Sequence, residues 1–384
     1  MWIVTPFATL VAALALVNAC GSDSGGADPT TSPDDATGVA TDALPDTSDP
    51  TDVAPAADTT ATAPFEDMVQ HEWVWFDVAG TMCDDGTPTG IGISYSGTSD
   101  VLVFFAGGGA CWDFDTCVTF NTSVHGPFGA AQLTAAAPAS GFADRDDPNN
   151  PFRDWTYVFV PYCTGDLHGG SRDMTYVSGG VQRTLHHRGN TNVEAWLPRL
   201  VATLPHPDRL VVTGSSAGGY GATIQYDRLR TALGPQASWL LDDSGPLLVG
   251  DGIPAALRGA WYTSWQLASV VGPVCGDDCQ DDLSLLYPKL AAKWPTDGMA
   301  LLTSLQDQVI AAYLGKDATT MEAAVRALVT SVLTPAGTRA FVIAGATHTM
   351  LGAPLATPTS GDTTLSVWLV KMLTRDASWT TLLP

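Results

Sequence analysis

The chain has 384 residues, of which 45% are hydrophobic, and its 40 acidic and 17 basic residues give a formal net charge of −23 at pH 7. This length and composition suffice for one large domain or two small ones with a substantial core. The acidic balance and the absence of a Lys/Arg cluster argue against nucleic acid as a partner and disfavour a strongly polyanionic substrate.

The first twenty residues resemble an export signal. An apolar stretch at residues 7–17 is too short to cross a bilayer as a helix, and it suits the hydrophobic region of a signal peptide. It leads into Val17-Asn18-Ala19-Cys20, the pattern of a bacterial lipobox, which predicts lipidation of Cys20 and an anchor at the outer membrane. Because the first seven residues contain no Lys or Arg, plain secretion and a buried N-terminal helix remain alternatives.

Residues 21–64 are expected to form a disordered acidic linker. They consist mainly of Gly, Ser, Thr, Pro, Ala and Asp, and they cannot bury enough apolar surface to offset the entropy of ordering. Residues 21–67 hold 11 acidic residues and no basic one, which leaves 29 acidic and 17 basic residues, a net charge of −12, in residues 68–384. The sequence therefore predicts one moderately acidic folded domain at residues 65–384.

Six cysteines follow Cys20, and an even number in an exported chain indicates disulfide bonds. Two pairs are close enough in sequence to close small loops, and the third pair follows by elimination: Cys111 with Cys117, Cys275 with Cys279, and Cys83 with Cys163. These positions lack the paired spacing of a zinc site, so neither a metal nor another cofactor is expected.

Apolar runs and helical patterns alternate along the folded part. The predicted strands lie at residues 101–106, 155–161, 209–213 and 340–344, with further candidates at 238–242 and 299–305, the last of which could also be helical. The predicted helices lie at residues 192–204, 217–233 and 319–333. This alternation predicts an α/β fold with a mostly parallel central sheet and helices on both faces. Residues 245–295, rich in Trp, Tyr and Pro, are expected to form a lid or cap.

The strongest local pattern is Gly214-Ser215-Ser216-Ala217-Gly218, which joins the predicted strand at 209–213 to the predicted helix at 217–233. A G-x-S-x-G sequence between a strand and a helix is typical of the nucleophile elbow of α/β-hydrolases, where small residues permit a strained turn. A phosphate-binding loop would need a Lys after the glycines, and none is present. The pattern therefore predicts Ser216 as a nucleophile on an α/β-hydrolase-like fold.

A nucleophilic serine needs a base, and in this fold the chain order is Ser, acid, His. Six of the seven histidines precede Ser216, and only His348 follows it, in a loop just after the predicted strand at 340–344. Twelve carboxylates lie between these two residues. Asp307 and Asp243 both follow candidate strands, and the usual position of the acid near the last strands favours Asp307.

Three consecutive glycines end the predicted strand at 101–106. Gly107-Gly108-Gly109 resembles the glycine loop that supplies oxyanion-hole N–H groups in esterases. The N–H groups of Gly108 and Gly109, together with that of Ala217, are therefore the predicted oxyanion donors.

Four motifs together resemble the pectin acetylesterase/Notum family over most of residues 75–355. They are residues 83–90 (CDDGTPTG), the glycine loop with Cys111 and Cys117, residues 158–166 (VFVPYCTGD), and residues 214–219 (GSSAGG). The resemblance implies a carboxylic-ester hydrolase without a metal, and a triad of Ser216, Asp307 and His348. It also supports the Cys111–Cys117 and Cys83–Cys163 pairings. Plant members typically read Leu-Glu-Gly-Gly-Gly-Trp-Cys at the glycine loop, whereas this chain has Ala106 and Ala110 in place of the Glu and the Trp.

Plant members of this family act on acetylated pectin and the animal member on a protein-linked fatty acyl group. The leading hypothesis is hydrolysis of a short O-acyl ester on an extracellular carbohydrate such as pectin. The alternatives are a longer-chain deacylase, an inactive surface lipoprotein that binds glycan or peptide, and a serine peptidase. Candidates for the pocket wall and its rim are Trp112, Tyr220, Trp261, Trp265 and His168.

Overall fold

A computed structural model describes residues 62–384. The predicted signal peptide, the lipidation of Cys20 and the linker up to residue 61 lie outside the described residues. Within the described range, no helix combines the length and the apolar character needed to cross a membrane.

Eight strands form the central sheet, in the order β1-β2-β4-β3-β7-β8-β9-β10. Only β2 runs antiparallel to its neighbours, and all other neighbouring strands in the sheet are parallel. The strands of the chain are β1 (Trp73–Met82), β2 (Pro88–Ser94), β3 (Asp100–Phe105), β4 (Thr156–Val160), β5 (Arg172–Ser178), β6 (Val181–His187), β7 (Arg209–Ser215), β8 (Ala237–Asp243), β9 (Gly298–Ser304), β10 (Arg339–Ile343), β11 (Thr359–Ser360) and β12 (Thr363–Thr364).

Helices cover both faces of this sheet. The α-helices are α1 (Ala130–Ala136), α2 (Gly189–Thr203), α3 (Ala217–Leu233), α4 (Ala255–Ser264), α5 (Ala268–Cys275), α6 (Asp278–Asp281), α7 (Leu286–Lys293), α8 (Gln308–Tyr313), α9 (Ala318–Leu328) and α10 (Leu365–Leu373). Along β3 the side chains alternate between two cores: Val101 and Val103 pack with α2 and α3, whereas Leu102 and Phe104 pack with α1 and α10. The α/β fold with helices on both faces is confirmed.

The continuous apolar runs are strands, as predicted. The uncertain segment at 299–305 is also a strand, β9, because it pairs with both β8 and β10 in the middle of the parallel sheet. The helix predicted at 319–333 ends as an α-helix at Leu328 and continues as one π-helical turn, Val329–Leu333. The segment expected to be a lid or cap consists of four short helices, α4 to α7, whose apolar side chains join the same core as α3.

Three disulfides tie the loops to this framework. The bonds join Cys83 to Cys163, Cys111 to Cys117 and Cys275 to Cys279, with Cα–Cα distances of 5.0, 4.9 and 5.8 Å. The first connects the loop after β1 with the end of β4, and the second closes the loop that follows the glycines. The six cysteines are therefore paired as the sequence indicated.

Candidate active site

Ser216 occupies a strained turn between β7 and α3. Its backbone angles, φ 61° and ψ −123°, lie outside the usual regions for a residue with a side chain. The two glycines of the motif allow this turn, since a Cβ on Gly214 would collide with the Gly218 carbonyl and a Cβ on Gly218 would collide with the Phe105 carbonyl. The close approach of three backbone segments therefore requires both glycines and presents Ser216 at the carboxyl end of β7.

The glycine loop lies directly against this turn. A Cβ added to Gly107 would stand 3.1 Å from the Ser216 Cβ and 2.5 Å from the Ser215 carbonyl oxygen. Among the described residues, the N–H groups of Gly108, Gly109 and Ala217 donate to no other protein group. Three unengaged N–H groups beside a serine hydroxyl form a set of donors suited to a developing oxyanion.

Asp307 and His348 form a directly bonded pair. The His348 Nδ1 lies 2.8 Å from Asp307 Oδ2 and 3.0 Å from Oδ1. The carboxylate is fully buried, and its Oδ1 also accepts the Val309 and Ile310 N–H groups at 3.0 Å, which caps α8. This contact places the ring proton on Nδ1, so that Nε2 is left free to accept a proton.

Asp243 links the turn of Ser216 to the loop of His348 and does not contact the imidazole Nδ1. Its main-chain carbonyl accepts the Ser216 N–H at 2.7 Å, and its carboxylate accepts the Met350 N–H at 3.0 Å. The same carboxylate accepts the Ser215 hydroxyl at 2.7 Å. Burial raises the pKa of Asp243 above its usual value, and the hydrogen bonds to its carboxylate offset only part of this rise. The alternative acid is therefore a bridge between the turn at Ser216 and the loop of His348.

Ser216 and His348 lie on neighbouring loops held by this bridge. Within residues 62–384, no hydrogen bond joins the Ser216 hydroxyl to the imidazole. In unliganded hydrolases, catalytic hydrogen bonds are often long and tighten when substrate binds. In the structure, Asp307 and His348 of the predicted triad are therefore in direct contact. Ser216 is connected to the loop of His348 through Asp243.

The four aromatic candidates for the pocket wall pack against one another. Trp261 stacks on Trp265 at 5.2 Å between ring centroids, and it meets Trp112 and Tyr220 edge-on at 6.4 and 6.2 Å. Only Trp112 is partly exposed, whereas the other three are at most 4% exposed. Most of this cluster therefore belongs to the core, as aromatic residues beneath a helical layer usually do.

Sequence reasoning missed two tyrosines that contact the glycine loop. The Tyr162 hydroxyl donates to the Gly109 carbonyl at 2.8 Å, and the Tyr313 hydroxyl donates to the Thr122 carbonyl beside Gly109. Tyr162 lies two residues after the end of β4, the neighbour of β3 in the sheet, and the strand order therefore places it beside the glycine loop. Tyr313 ends α8, the helix that Asp307 caps, and so it connects the acid segment to the glycine loop.

The described residues contain one cluster with the composition of a metal site, formed by Cys111, Cys117 and His187. The two cysteines are joined in a disulfide, so they offer no thiolate ligand. Both ring nitrogens of His187 are already engaged, one with the Thr164 carbonyl and one with the Tyr176 hydroxyl, each at 2.8 Å. These residues therefore do not fit a bound metal ion.

Known proteins resemble this chain in sequence and in fold. A family model described as Pectinacetylesterase matches residues 66–251. Pectin acetylesterase 4 of Arabidopsis thaliana is 28% identical over 165 residues, which cover 41% of this chain and 39% of the relative. Palmitoleoyl-protein carboxylesterase NOTUM of Schmidtea mediterranea is 26% identical over 157 residues, which cover 39% and 29%. Residues 66–251, just under half of the chain, therefore resemble the pectin acetylesterase/Notum family.

The family match contains Ser216 and the glycine loop but ends before Asp307 and His348. The matched stretches span less than half the length of these two curated relatives. A crystal structure of the Wnt deacylase Notum from Drosophila superposes with a TM-score of 0.62 at 18% identity, covering 81% of this chain and 95% of that one. The shared α/β-hydrolase-like fold therefore extends well beyond the stretches that align by sequence with the curated relatives.

Proposed function

We propose that this chain is an exported serine carboxylesterase that hydrolyses O-acyl esters with Ser216, His348 and Asp307. The observation that carries the proposal is the strained Ser216 turn packed against a glycine loop whose N–H groups are unengaged. A serine held in this way, with a His–Asp pair on a neighbouring loop, is the arrangement that acyl transfer requires.

In the proposed reaction, the Ser216 hydroxyl oxygen attacks the ester carbonyl carbon, and His348 Nε2 takes the hydroxyl proton. The carbonyl oxygen becomes an oxyanion that accepts hydrogen bonds from Gly108, Gly109 and Ala217. Collapse of the intermediate breaks the C–O bond to the alcohol, and the imidazolium returns its proton to that oxygen. A water molecule then gives a proton to His348 and attacks the acyl carbon, the bond between this carbon and the Ser216 oxygen breaks, and the imidazolium returns the proton to Ser216. Asp307 stabilises the charged imidazole in both steps.

The proposed substrate is a short acyl ester, in particular an O-acetyl group on an extracellular carbohydrate such as pectin. The family match supports this substrate, because the matching model is that of pectin acetylesterases. The packing of Trp261, Trp265 and Tyr220 against one another also supports a short acyl group, because a long chain needs accessible apolar surface along its length.

Export is part of the same proposal. Three disulfides among the described residues are typical of proteins that fold in an oxidising compartment. Lipidation at Cys20, as the lipobox pattern predicts, would anchor the enzyme at the cell envelope of a bacterium; without it the enzyme would be secreted. Neither route places the enzyme in contact with nucleic acid.

The test is hydrolysis of p-nitrophenyl esters from acetate to palmitate by the full chain with its disulfides intact. Ser216→Ala is the inactivating variant, and Ser215→Ala is its matched control, because the hydroxyl of that neighbouring serine donates to the buried Asp243 carboxylate. We expect activity to peak at two to four carbons, Ser216→Ala to lose at least about 10⁴-fold, and Ser215→Ala to lose about tenfold or less.

Each other outcome points to a different function. A peak at long acyl chains would favour a lipid-type deacylase, and turnover of peptides would favour a peptidase. A folded protein without Ser216-dependent turnover of any ester would overturn the esterase proposal and favour a surface lipoprotein that binds glycan or peptide.

A further inference from the structure

His168 is a buried histidine to which the proposed reaction assigns no step. It is only 2% exposed, and its backbone has φ +58°, which few residues with a side chain adopt. The neighbouring Asp166 holds this conformation, because its fully buried carboxylate accepts the N–H groups of His168, Gly170 and Gly189 at 3.1, 3.2 and 2.7 Å. The position of the His168 ring is therefore set by the buried Asp166 carboxylate, which accepts hydrogen bonds from these three backbone N–H groups.

The ring reaches the start of the glycine loop. His168 Nε2 lies 2.8 Å from the Ala106 carbonyl oxygen, and since a carbonyl only accepts, Nε2 carries the proton. Burial lowers the pKa of His168 to about 4, although the Ala106 contact and Asp166 oppose that shift. At neutral pH the side chain is therefore an uncharged donor.

The same ring also contacts the helix that carries the other oxyanion donor. A Cβ on Gly221, in α3, would stand 2.6 Å from His168 Cδ2, so this glycine makes room for the imidazole. The ring also packs against Phe105 and Tyr162, with centroids 4.9 and 4.8 Å away. His168 thus fills the space between the glycine loop and α3, the two elements that contribute oxyanion N–H groups.

The rest of the glycine loop is held at two further carbonyls. The Val124 N–H donates to the Gly108 carbonyl at 2.7 Å, and the Tyr162 hydroxyl donates to the Gly109 carbonyl at 2.8 Å. A trans peptide points its C=O and N–H in opposite directions, so fixing the Gly108 carbonyl also fixes the Gly109 N–H. At the start of the loop, the Ala106 N–H donates to the Val160 carbonyl at 3.0 Å, and the Ala106 carbonyl accepts the His168 Nε2–H. His168 is therefore the side chain that holds the peptide by which the loop leaves β3.

We propose that His168 is a positioning residue that sets the alignment of the glycine-loop N–H groups with that of Ala217, through its hydrogen bond to Ala106 and its packing on Gly221. This inference rests on the esterase function proposed above. It predicts that the loss of the donor weakens transition-state stabilisation while leaving binding of the ester substrate nearly unchanged.

The experiment compares His168→Gln with His168→Asn in the full chain. The Gln amide nitrogen reaches the position of Nε2 and can donate to Ala106, whereas the shorter Asn places its nitrogen near the position of Nδ1 and cannot. We expect His168→Asn to lower kcat on p-nitrophenyl acetate about 100-fold with KM changed less than threefold, and His168→Gln to keep kcat within about tenfold of the wild type.

His187→Asn is the matched control, since His187 is equally buried but bonds the Thr164 carbonyl and the Tyr176 hydroxyl rather than the glycine loop. It should lose stability while keeping kcat within about threefold. Where Asn at position 168 prevents folding, His168→Leu serves as the donor-free variant.

Wild-type kcat in a folded donor-free variant, equal losses in the Gln and Asn variants, or an equal loss in the His187 control would each overturn the inference. A wild-type chain without Ser216-dependent turnover would instead overturn the esterase proposal, and the two failures are therefore distinguishable.

Discussion

The two sides of the candidate site are built by different means. The nucleophile side, which consists of the Gly107–Gly109 loop, Ser216 and Ala217, is a set of short turns whose geometry follows from backbone contacts that only glycine allows. The base side, which consists of Asp307 and His348, lies on two loops 41 residues apart in sequence. Buried carboxylates hold it, with Asp307 on the imidazole and Asp243 on the backbone of the His348 loop.

This difference determines how each side can be damaged. A side built from glycine contacts is sensitive to any added carbon atom, because three backbone segments already touch there. The base side depends on buried carboxylate oxygens. It is therefore sensitive to a substitution that replaces an acceptor oxygen with an N–H donor, even when the shape of the side chain is unchanged. Substitutions can therefore test the two sides of the site separately.

The largest expected effect separates the two acids of the base side. Asp307→Asn should lower kcat about 10⁴-fold, because the amide favours the wrong imidazole tautomer. Its stability should fall by about 1 kcal/mol or less, since the amide oxygen can still cap α8. Asp243→Asn should have the opposite pattern, with about 2 kcal/mol of lost stability and kcat lowered about tenfold, because an amide N–H would face the Met350 N–H.

Esterase kinetics and urea unfolding of both variants, with the disulfides intact, measure this pattern. If Asp243→Asn abolished turnover and Asp307→Asn spared it, the role of triad acid would pass to Asp243.

The next effect tests the nucleophile side with an added methyl group. Gly218→Ala should lower stability by about 3 kcal/mol and kcat about 10³-fold, because the new Cβ would collide with the Phe105 carbonyl and displace the Ser216 turn. Gly259→Ala in α4 is the control, since nothing lies within 4 Å of its added Cβ, and it should gain about 0.5–1 kcal/mol. Equal stability of the two variants in urea unfolding would contradict the close packing at Gly218.

The last effect concerns the pH dependence of stability, with no loss of catalysis at neutral pH involved, and again involves His168. Because its pKa falls from 6.5 to about 4 on folding, the unfolded chain binds the extra proton first as the pH drops. The contribution of this group to stability is therefore complete above pH 6.5 and is lost progressively toward pH 4, by at most about 3 kcal/mol. His168→Gln should show a shallower loss of stability between pH 7 and 4.5, measured by urea unfolding.

Burial also lowers the pKa of His187, so in both proteins this group should likewise reduce stability as the pH falls below about 6.5, and part of the slope should remain. An identical slope in the wild type and His168→Gln would show that His168 does not titrate in this way.

The fold was largely predictable because the parallel strands are continuous apolar runs. β3, β4, β7 and β10 were visible in this way, and each lies within two residues of its predicted bounds. The edge strand β1, its neighbour β2 and the hairpin of β5 and β6 were not predicted. The hairpin is mostly exposed, with Val177 65% exposed near its tip, so no apolar run or alternation identifies it. The pairing of β5 with β6 holds the hairpin together.

Local sequence patterns specify the parts of the protein that depend on local sterics and short loops. The Ser216 turn, the glycine loop and the two short disulfide loops are specified within a few residues, because only glycine or a nearby cysteine fits there. Tertiary structure decided which of Asp243 and Asp307 contacts His348, and it placed Tyr162, Tyr313 and His168 around the glycine loop. These contacts join segments 41 to 191 residues apart, and their geometry depends on the order of the strands in the sheet, which local sequence patterns do not encode.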